Sequence, residues 1–334
     1  MKLGVVIQES WAFFQEVYQE LSSSHPTRLL TLPEANMPLF KERVNRWLRA
    51  RALRGFLKSN HVVFFEWASE LLAAASDEPK RCGIVTRLHR YELYRWADRI
   101  NWGIVDRVIL VSEAKRKEFV GRFPGQASKV VVIPEAISLE KFHPEARVFR
   151  GDLGVLCNLS PRKRVYETIL AFSEASRNGA DLRLHIGGGP HPAFPEYEAV
   201  LRTLVARLAL ERRVTFYGHV PNPSEWYRNI DVFLSNSYSE GLQVAPMEAI
   251  ASGRYCLSHR WDGADELLPS DSLFSTEREL IERIAGYCES SEDKRRALRE
   301  HQLAIVQERF DVNKTKVRIR QLVEEVGSTW IGRT

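Results

Sequence analysis

The four cysteines in 334 residues, Cys82, Cys157, Cys256 and Cys288, lie far apart, with no Cys-x-x-Cys pair. This spacing argues against a disulfide framework or a cysteine zinc site and suits reduced thiols in a cytosol. No apolar run approaches the roughly 20 residues that a membrane-spanning helix requires. Met1–Ile7 is too short for the apolar core of a secretory leader and is predicted to be a buried strand. Histidine and aspartate nowhere recur at metal-ligand spacing. The run Ile186-Gly187-Gly188-Gly189-Pro190 lacks the Gly-x-Gly-x-x-Gly order of a nicotinamide site. No motif for DNA or RNA is present, so no nucleic-acid partner is expected.

What remains is an ordinary globular composition, 44% hydrophobic and 27% charged. Two domains are expected, because single cores stop growing near about 250–300 residues. The net charge of +5 is uneven. Residues 1–145 carry 22 Lys and Arg against 17 Asp and Glu, whereas residues 146–334 carry 26 of each. An anionic partner should therefore meet the N-terminal half first. Lys41 to Lys58 concentrates seven of these cations against Glu42, with Phe40, Val44, Trp47 and Leu48 expected on one helical face. Such a helix suits an anionic membrane surface or a lipid-linked substrate; a solvated basic face with its tryptophan turned inward is the alternative.

Apolar runs punctuate both halves. Leu3–Ile7, Arg28–Leu32, His61–Phe65, Cys82–Val85, Val108–Val111 and Val130–Ile133 are predicted strands. So are Gly154–Leu159, Leu182–Ile186, Val214–Tyr217, Asp231–Leu234 and Tyr255–Ser258, with helices at Tyr166–Arg177, Tyr197–Leu210, Ser224–Asn229 and Met247–Ala251. Strands spaced by helices predict an α/β protein with parallel sheets.

The most informative stretch runs from Asp231 to Leu268. A strand leads through Ser235–Ser239 to Glu240-Gly241, and a helix is predicted to start near Pro246, whose missing N–H suits the first turn. Gly253 marks its end. The amides of Leu242, Gln243 and Val244 then lie at the positive end of the helix dipole, where phosphate binds. Glu240 and Glu248, eight residues apart, flank them as acceptors for hydroxyls. A polyhydroxylated group carrying phosphate fits this spacing.

This pattern, continued by Gly263 and Glu266, resembles the retaining glycosyltransferases of family 4, which have the GT-B fold. The resemblance implies two Rossmann-like domains facing each other across a cleft: residues 1–145, with a closing helix of about 315–334 packed back on them, and residues 146–314. It implies that Glu240 touches the donor sugar, the amides of Gly241, Leu242, Gln243 and Val244 hold the diphosphate, and Glu248 binds ribose. The loop departs from the family's usual Gly-Phe-Gly-Leu, having Gln243 at the second glycine. Cys157–Arg164 is similar to the family's Gly-Arg-Leu-x-Pro-x-Lys-Gly. Lys163 takes the lysine position and Asn158 the arginine position, leaving Arg162 or Arg164 to restore the missing charge. Gly188 matches a glycine turn near the nucleotide, and His219 and Val220 match a segment walling its base. His89, ending a predicted strand, takes the place of a histidine set against the reacting sugar, and Arg90 replaces the usual Asp after it. Ile133–Pro144 resembles the strand-to-linker signature, with Glu135-Ala136-Ile137-Ser138 for the usual Asn-Gly-Val-Asp and a linker expected near 145–152. The family's glycine-rich first loop is replaced by Gln8-Glu9-Ser10-Trp11-Ala12-Phe13.

The resemblance therefore implies a transferase moving sugar from a UDP- or GDP-linked donor to a hydroxyl acceptor in surface-polysaccharide or glycolipid assembly. His89, Glu240 and Lys163 would be the catalytic set, with no metal or other cofactor. The expected location is the cytoplasm, with peripheral membrane contact through the basic stretch. A sugar-nucleotide 2-epimerase and a non-catalytic binding or scaffold subunit are the alternatives.

Overall fold

The computed structural model describes residues 1–11, 14–36, 41–145, 147–177 and 181–331. Ala12, Phe13, Phe40, one linker residue and the last three residues of the expected closing helix lie outside them.

The chain divides into two compact units, Met1–Glu135 with Val312–Thr334, and Ala136–Asp311. The first is built on β1 (Leu3–Val6), β2 (Thr27–Leu29), β3 (Val62–Phe65), β4 (Gly83–Leu88), β5 (Arg107–Leu110) and β6 (Val130–Val132). They form one parallel sheet in the order β2-β1-β3-β4-β5-β6. Its helices are α1 (Gln15–Ser24), α2 (Lys41–Ser59), α3 (Glu70–Ser76), α4 (Arg90–Arg95) and α5 (Glu113–Arg122). Parallel strands covered on both faces must be apolar on both, and β3 is. Val63 and Phe65 pack with Leu53 and Leu57 of α2. Val62 and Phe64 face the other way, onto Phe14, Val17 and Leu21 and onto Ile319, Leu322, Val323 and Val326 of the C-terminal helix.

The second unit contains β7 (Asp152–Leu156), α6 (Val165–Arg177), β8 (Arg183–Gly187), α7 (Tyr197–Arg207), β9 (Val214–Gly218) and α8 (Pro223–Tyr227). After them come β10 (Val232–Ser235), α9 (Val244–Ala251), β11 (Tyr255–His259), β12 (Leu273–Phe274), α10 (Glu277–Glu289) and α11 (Glu292–Arg309). The C-terminal helix of the first unit is α12 (Val312–Ile331). The second sheet is also parallel, in the order β12-β11-β10-β7-β8-β9. Residues 136–145 pack with this unit: Ile137 N–H donates to the Phe310 carbonyl at 3.0 Å, and Phe142 lies against Tyr227.

The structure differs from the sequence expectations in several places, and the units divide after Glu135 and Asp311 rather than after residues 145 and 314. β12, two residues long, carries too short a pattern to be read. β7 ends at Leu156, which leaves Cys157 to Arg164 as a loop with a 3-10 turn over Pro161–Lys163. α9 begins at Val244, so Pro246 occupies its third position rather than the first. In α2 the inward stripe is Asn45, Leu53 and Leu57, while Trp47 is 59% exposed with Arg51 over its ring, so the tryptophan does not turn inward.

Candidate active site

In an open parallel sheet the ligand crevice lies beyond the C-terminal strand ends, where the winding reverses direction. In the second unit that point falls between β7 and β10, which pair directly through Val232 and Phe233 with Leu153 and Gly154. The loops leaving these two strands carry Asn158, Arg162, Lys163 and Glu240 to Gln243 among the residues singled out from sequence.

The loop after β7 is shaped by its 3-10 turn. Lys163 N–H donates to the Ser160 carbonyl at 2.9 Å, and Arg164 leaves the turn at φ 52. Arg162 and Lys163 thereby reach the loop after β10. Arg162 Nη1 donates to Glu240 Oε1 at 2.5 Å and to the Ser239 carbonyl at 2.7 Å, and Lys163 Nζ donates to the same Glu240 oxygen at 2.8 Å. Burial by itself raises the Glu240 pKa, but Lys163 and Arg162 outweigh it and bring the carboxyl down to about 2. Glu240 is therefore an anion at any ordinary pH. Of the two cations weighed against Asn158, Arg162 joins this cluster. Arg164 turns away to Glu277 and Glu167. Asn158 is exposed.

Gln243 caps α9 in an extended conformation, φ −93 and ψ 130. The position held by a glycine in the resembling family thus needs no positive φ here, and a side chain is accommodated. That side chain contributes structure the sequence did not reveal. Its Nε2 donates to Glu240 Oε1 at 2.9 Å and to Ser237 Oγ at 3.1 Å, and its Oε1 accepts from Ser235. Among the described residues no group accepts a hydrogen bond from the amides of Leu242, Gln243 or Val244. Those amides retain the capacity to bind an anion, as the first turn of a helix does.

Glu248 lies one turn into α9 and accepts from Tyr227 Oη at 2.9 Å. Burial raises its pKa, against the opposing effects of the Tyr227 hydroxyl and Lys141. The helix closes on Gly253 at φ +80. Gly253 N–H reaches the Ile250 carbonyl and Arg254 N–H the Ala249 carbonyl, both at 2.9 Å. This is the paired bonding of a glycine-terminated helix.

Gly188 follows β8 at φ +111, and a Cβ there would lie 1.8 Å from the Cys157 carbonyl oxygen. Its N–H donates to the Gly218 carbonyl at 2.7 Å. The glycine lets the loop after β8 press against the loop after β7. His219 is exposed and Val220 half-buried beyond β9. Gly241 is buried and Leu242 half-buried.

His89 belongs to the first unit, where it caps α4 just beyond β4 and is 9% exposed. Nδ1 lies 3.0 Å from Glu135 Oε1 and Nε2 lies 3.5 Å from Glu66 Oε1. Arg87, fully buried in β4, donates from Nε and Nη2 to Glu66, and its Nη1 is 3.5 Å from Glu135. The Trp67 ring covers the imidazole with centroids 4.3 Å apart. Burial alone pulls the His89 pKa down, but Glu135 and Glu66, with Glu92 behind them, push it up to about 10. His89 is thus an imidazolium, unsuited to accept a proton. Glu66 and Arg87 drew no attention in the sequence. An acidic residue after one apolar run and a basic residue inside another were the available signals.

Residues 150–290 match the family described as Glycosyl transferases group 1. The lipopolysaccharide core biosynthesis mannosyltransferase LpsB of Rhizobium meliloti (strain 1021) is 40% identical over 65 residues, covering 20% of this chain and 18% of that protein. The D-inositol 3-phosphate glycosyltransferase of Nocardia farcinica (strain IFM 10152) is 28% identical over 164 residues, 44% of this chain and 36% of that one. The chain therefore spans less than half the length of these curated relatives. Among solved structures, Anabaena Alr3699/HepE in complex with UDP superposes with a TM-score of 0.80 at 15% identity, covering 97% of this chain and 99% of that one. Residues 150–290 thus resemble the glycosyl transferases group 1 family, and the fold of the chain is GT-B.

Proposed function

We propose that the chain is a retaining, metal-independent glycosyltransferase that moves a sugar from a nucleoside-diphosphate donor to a hydroxyl acceptor. One observation carries this reading: Arg162 and Lys163 converge on Glu240 beside the unclaimed amides of Leu242 to Val244, inside the family segment. Fixed cations and amides stabilise the charge that grows on a departing diphosphate. Glu240 would accept hydrogen bonds from the donor sugar and Glu248 from the ribose, with Gly188, His219 and Val220 around the nucleotide. The acceptor oxygen would attack the anomeric carbon on the face the diphosphate leaves, and the leaving phosphate oxygen would take the acceptor's proton. His89 would contribute fixed positive charge rather than act as the base. Uridine is the favoured base, because UDP is the nucleotide bound by the Anabaena neighbour.

For the acceptor we favour a surface-polysaccharide or lipid-linked saccharide, the class of product in the names of several relatives. The exposed Trp47 among the cations of α2 supports peripheral contact with an anionic membrane. No helix among the described residues is long and apolar enough to cross a membrane. The scaffold reading draws on Asn158, but Arg162 supplies a second cation beside Lys163, which favours the transferase. Thermal denaturation across UDP- and GDP-linked sugars tests the proposal. A true donor raises the melting temperature and is consumed equally well in EDTA, and the absence of stabilisation by any of them would refute the reading.

A further inference from the structure

Three donors, Arg162 Nη1, Lys163 Nζ and Gln243 Nε2, meet on one oxygen of Glu240, at 2.5, 2.8 and 2.9 Å. Two of the three are the cations that a bound pyrophosphate would need. The carboxylate is 9% exposed. Gln243 is itself held by Ser235 and Ser237, which keeps the carboxylate aimed at the cations. We propose that Glu240 competes with pyrophosphate for Lys163 and Arg162, so that the site distinguishes an intact sugar donor from the spent nucleoside diphosphate.

This inference rests on the donor reading above and adds to it a consequence for product release. An intact donor brings sugar hydroxyls, which donate to a carboxylate and compensate Glu240 as the cations turn to the phosphates. A bare diphosphate brings only further negative charge. It must draw the cations off a buried carboxylate that then keeps only neutral donors, the Gln243 amide among them, and a buried charge without its counter-charges is costly. The group that holds the sugar before transfer therefore loosens the nucleotide after it.

The test is calorimetric titration of the full chain with UDP and with UDP-glucose, or with the guanosine pair if that one stabilises the protein. Wild type is compared with Glu240→Gln, which keeps the shape and removes the charge. UDP is expected to bind the variant about five- to tenfold more tightly, while UDP-glucose gains less or loses affinity. Equal or weaker binding of UDP to the variant overturns the proposal and leaves the donor reading standing. If neither protein binds any nucleoside diphosphate, the donor reading fails and the proposal fails with it. Should Glu240→Gln not fold, Glu240→Asp decides the same question by drawing the carboxylate back one methylene: a rise in UDP affinity supports the competition and no rise overturns it.

Discussion

Glu135 Oε1 lies 3.0 Å from His89 Nδ1, and both side chains are buried. Glu66 and Glu135 face Arg87, so this group of four is electrically balanced only when His89 carries its proton. Glu92, behind them, is pushed toward neutrality by burial. His89 should therefore stay protonated throughout the neutral range. Its ring carbon signal in NMR, assigned by its loss in His89→Gln, is expected to show no titration from pH 5 to 8. In Glu135→Gln a titration should enter that range. The folded pKa of about 10 exceeds the ordinary histidine value near ~6.5. This contribution to stability is thus complete below pH ~6.5 and is lost as pH rises toward 10, a slope that urea titrations should find shallower in Glu135→Gln.

Lys163→Ala removes one of the two cations at Glu240 and is expected to lower kcat by about 10²–10³-fold, the usual loss of one fixed charge at a developing anion. Arg164→Gln tests the assignment from the other side. Arg164 pairs with Glu277 and Glu167 outside the cluster, and steady-state rates should stay within about twofold of wild type. Equal losses in both variants would contradict the geometry.

Gly188→Ala is expected to destabilise the chain by about 3 kcal/mol or to prevent folding, because a Cβ would meet the Cys157 carbonyl and φ is positive. Gly189→Ala, where a Cβ meets nothing within 4 Å, should cost under about 1 kcal/mol in chemical denaturation.

Trp47→Ala should weaken association with vesicles containing phosphatidylglycerol by about tenfold, while nucleotide binding measured without lipid stays unchanged. Vesicle flotation at low and high salt reads this out, and the basic face of α2 predicts loss of binding as salt rises. Undiminished flotation of the variant would remove α2 as the contact.

Much of the architecture was readable before any coordinates. Val62–Phe65 and Val232–Leu234 are uniform apolar runs buried on both faces, and such runs between helical stretches leave little besides a parallel sheet. Gly253 was readable as a helix end because positive φ selects glycine. The start of α9 was harder. Proline is tolerated anywhere in the first turn, so Pro246 marked the region but not the residue. For Trp47 the sequence left two placements open, because a helix dense in arginine offers several apolar stripes and packing chooses among them.

The sequence by itself determined which residues are chemically capable: carboxylates at Glu240 and Glu248, cations at Arg162 and Lys163, and an imidazole at His89 beyond a strand. Only the tertiary structure decided whom each one meets. Arg162 reaches Glu240 because β10 lies beside β7 rather than beside β9, and Glu135 reaches His89 from beyond β6, two strands away in the sheet. Strand order is settled by how helices cover the sheet and by the hand of each crossover, and neither is written in the residues that finally touch.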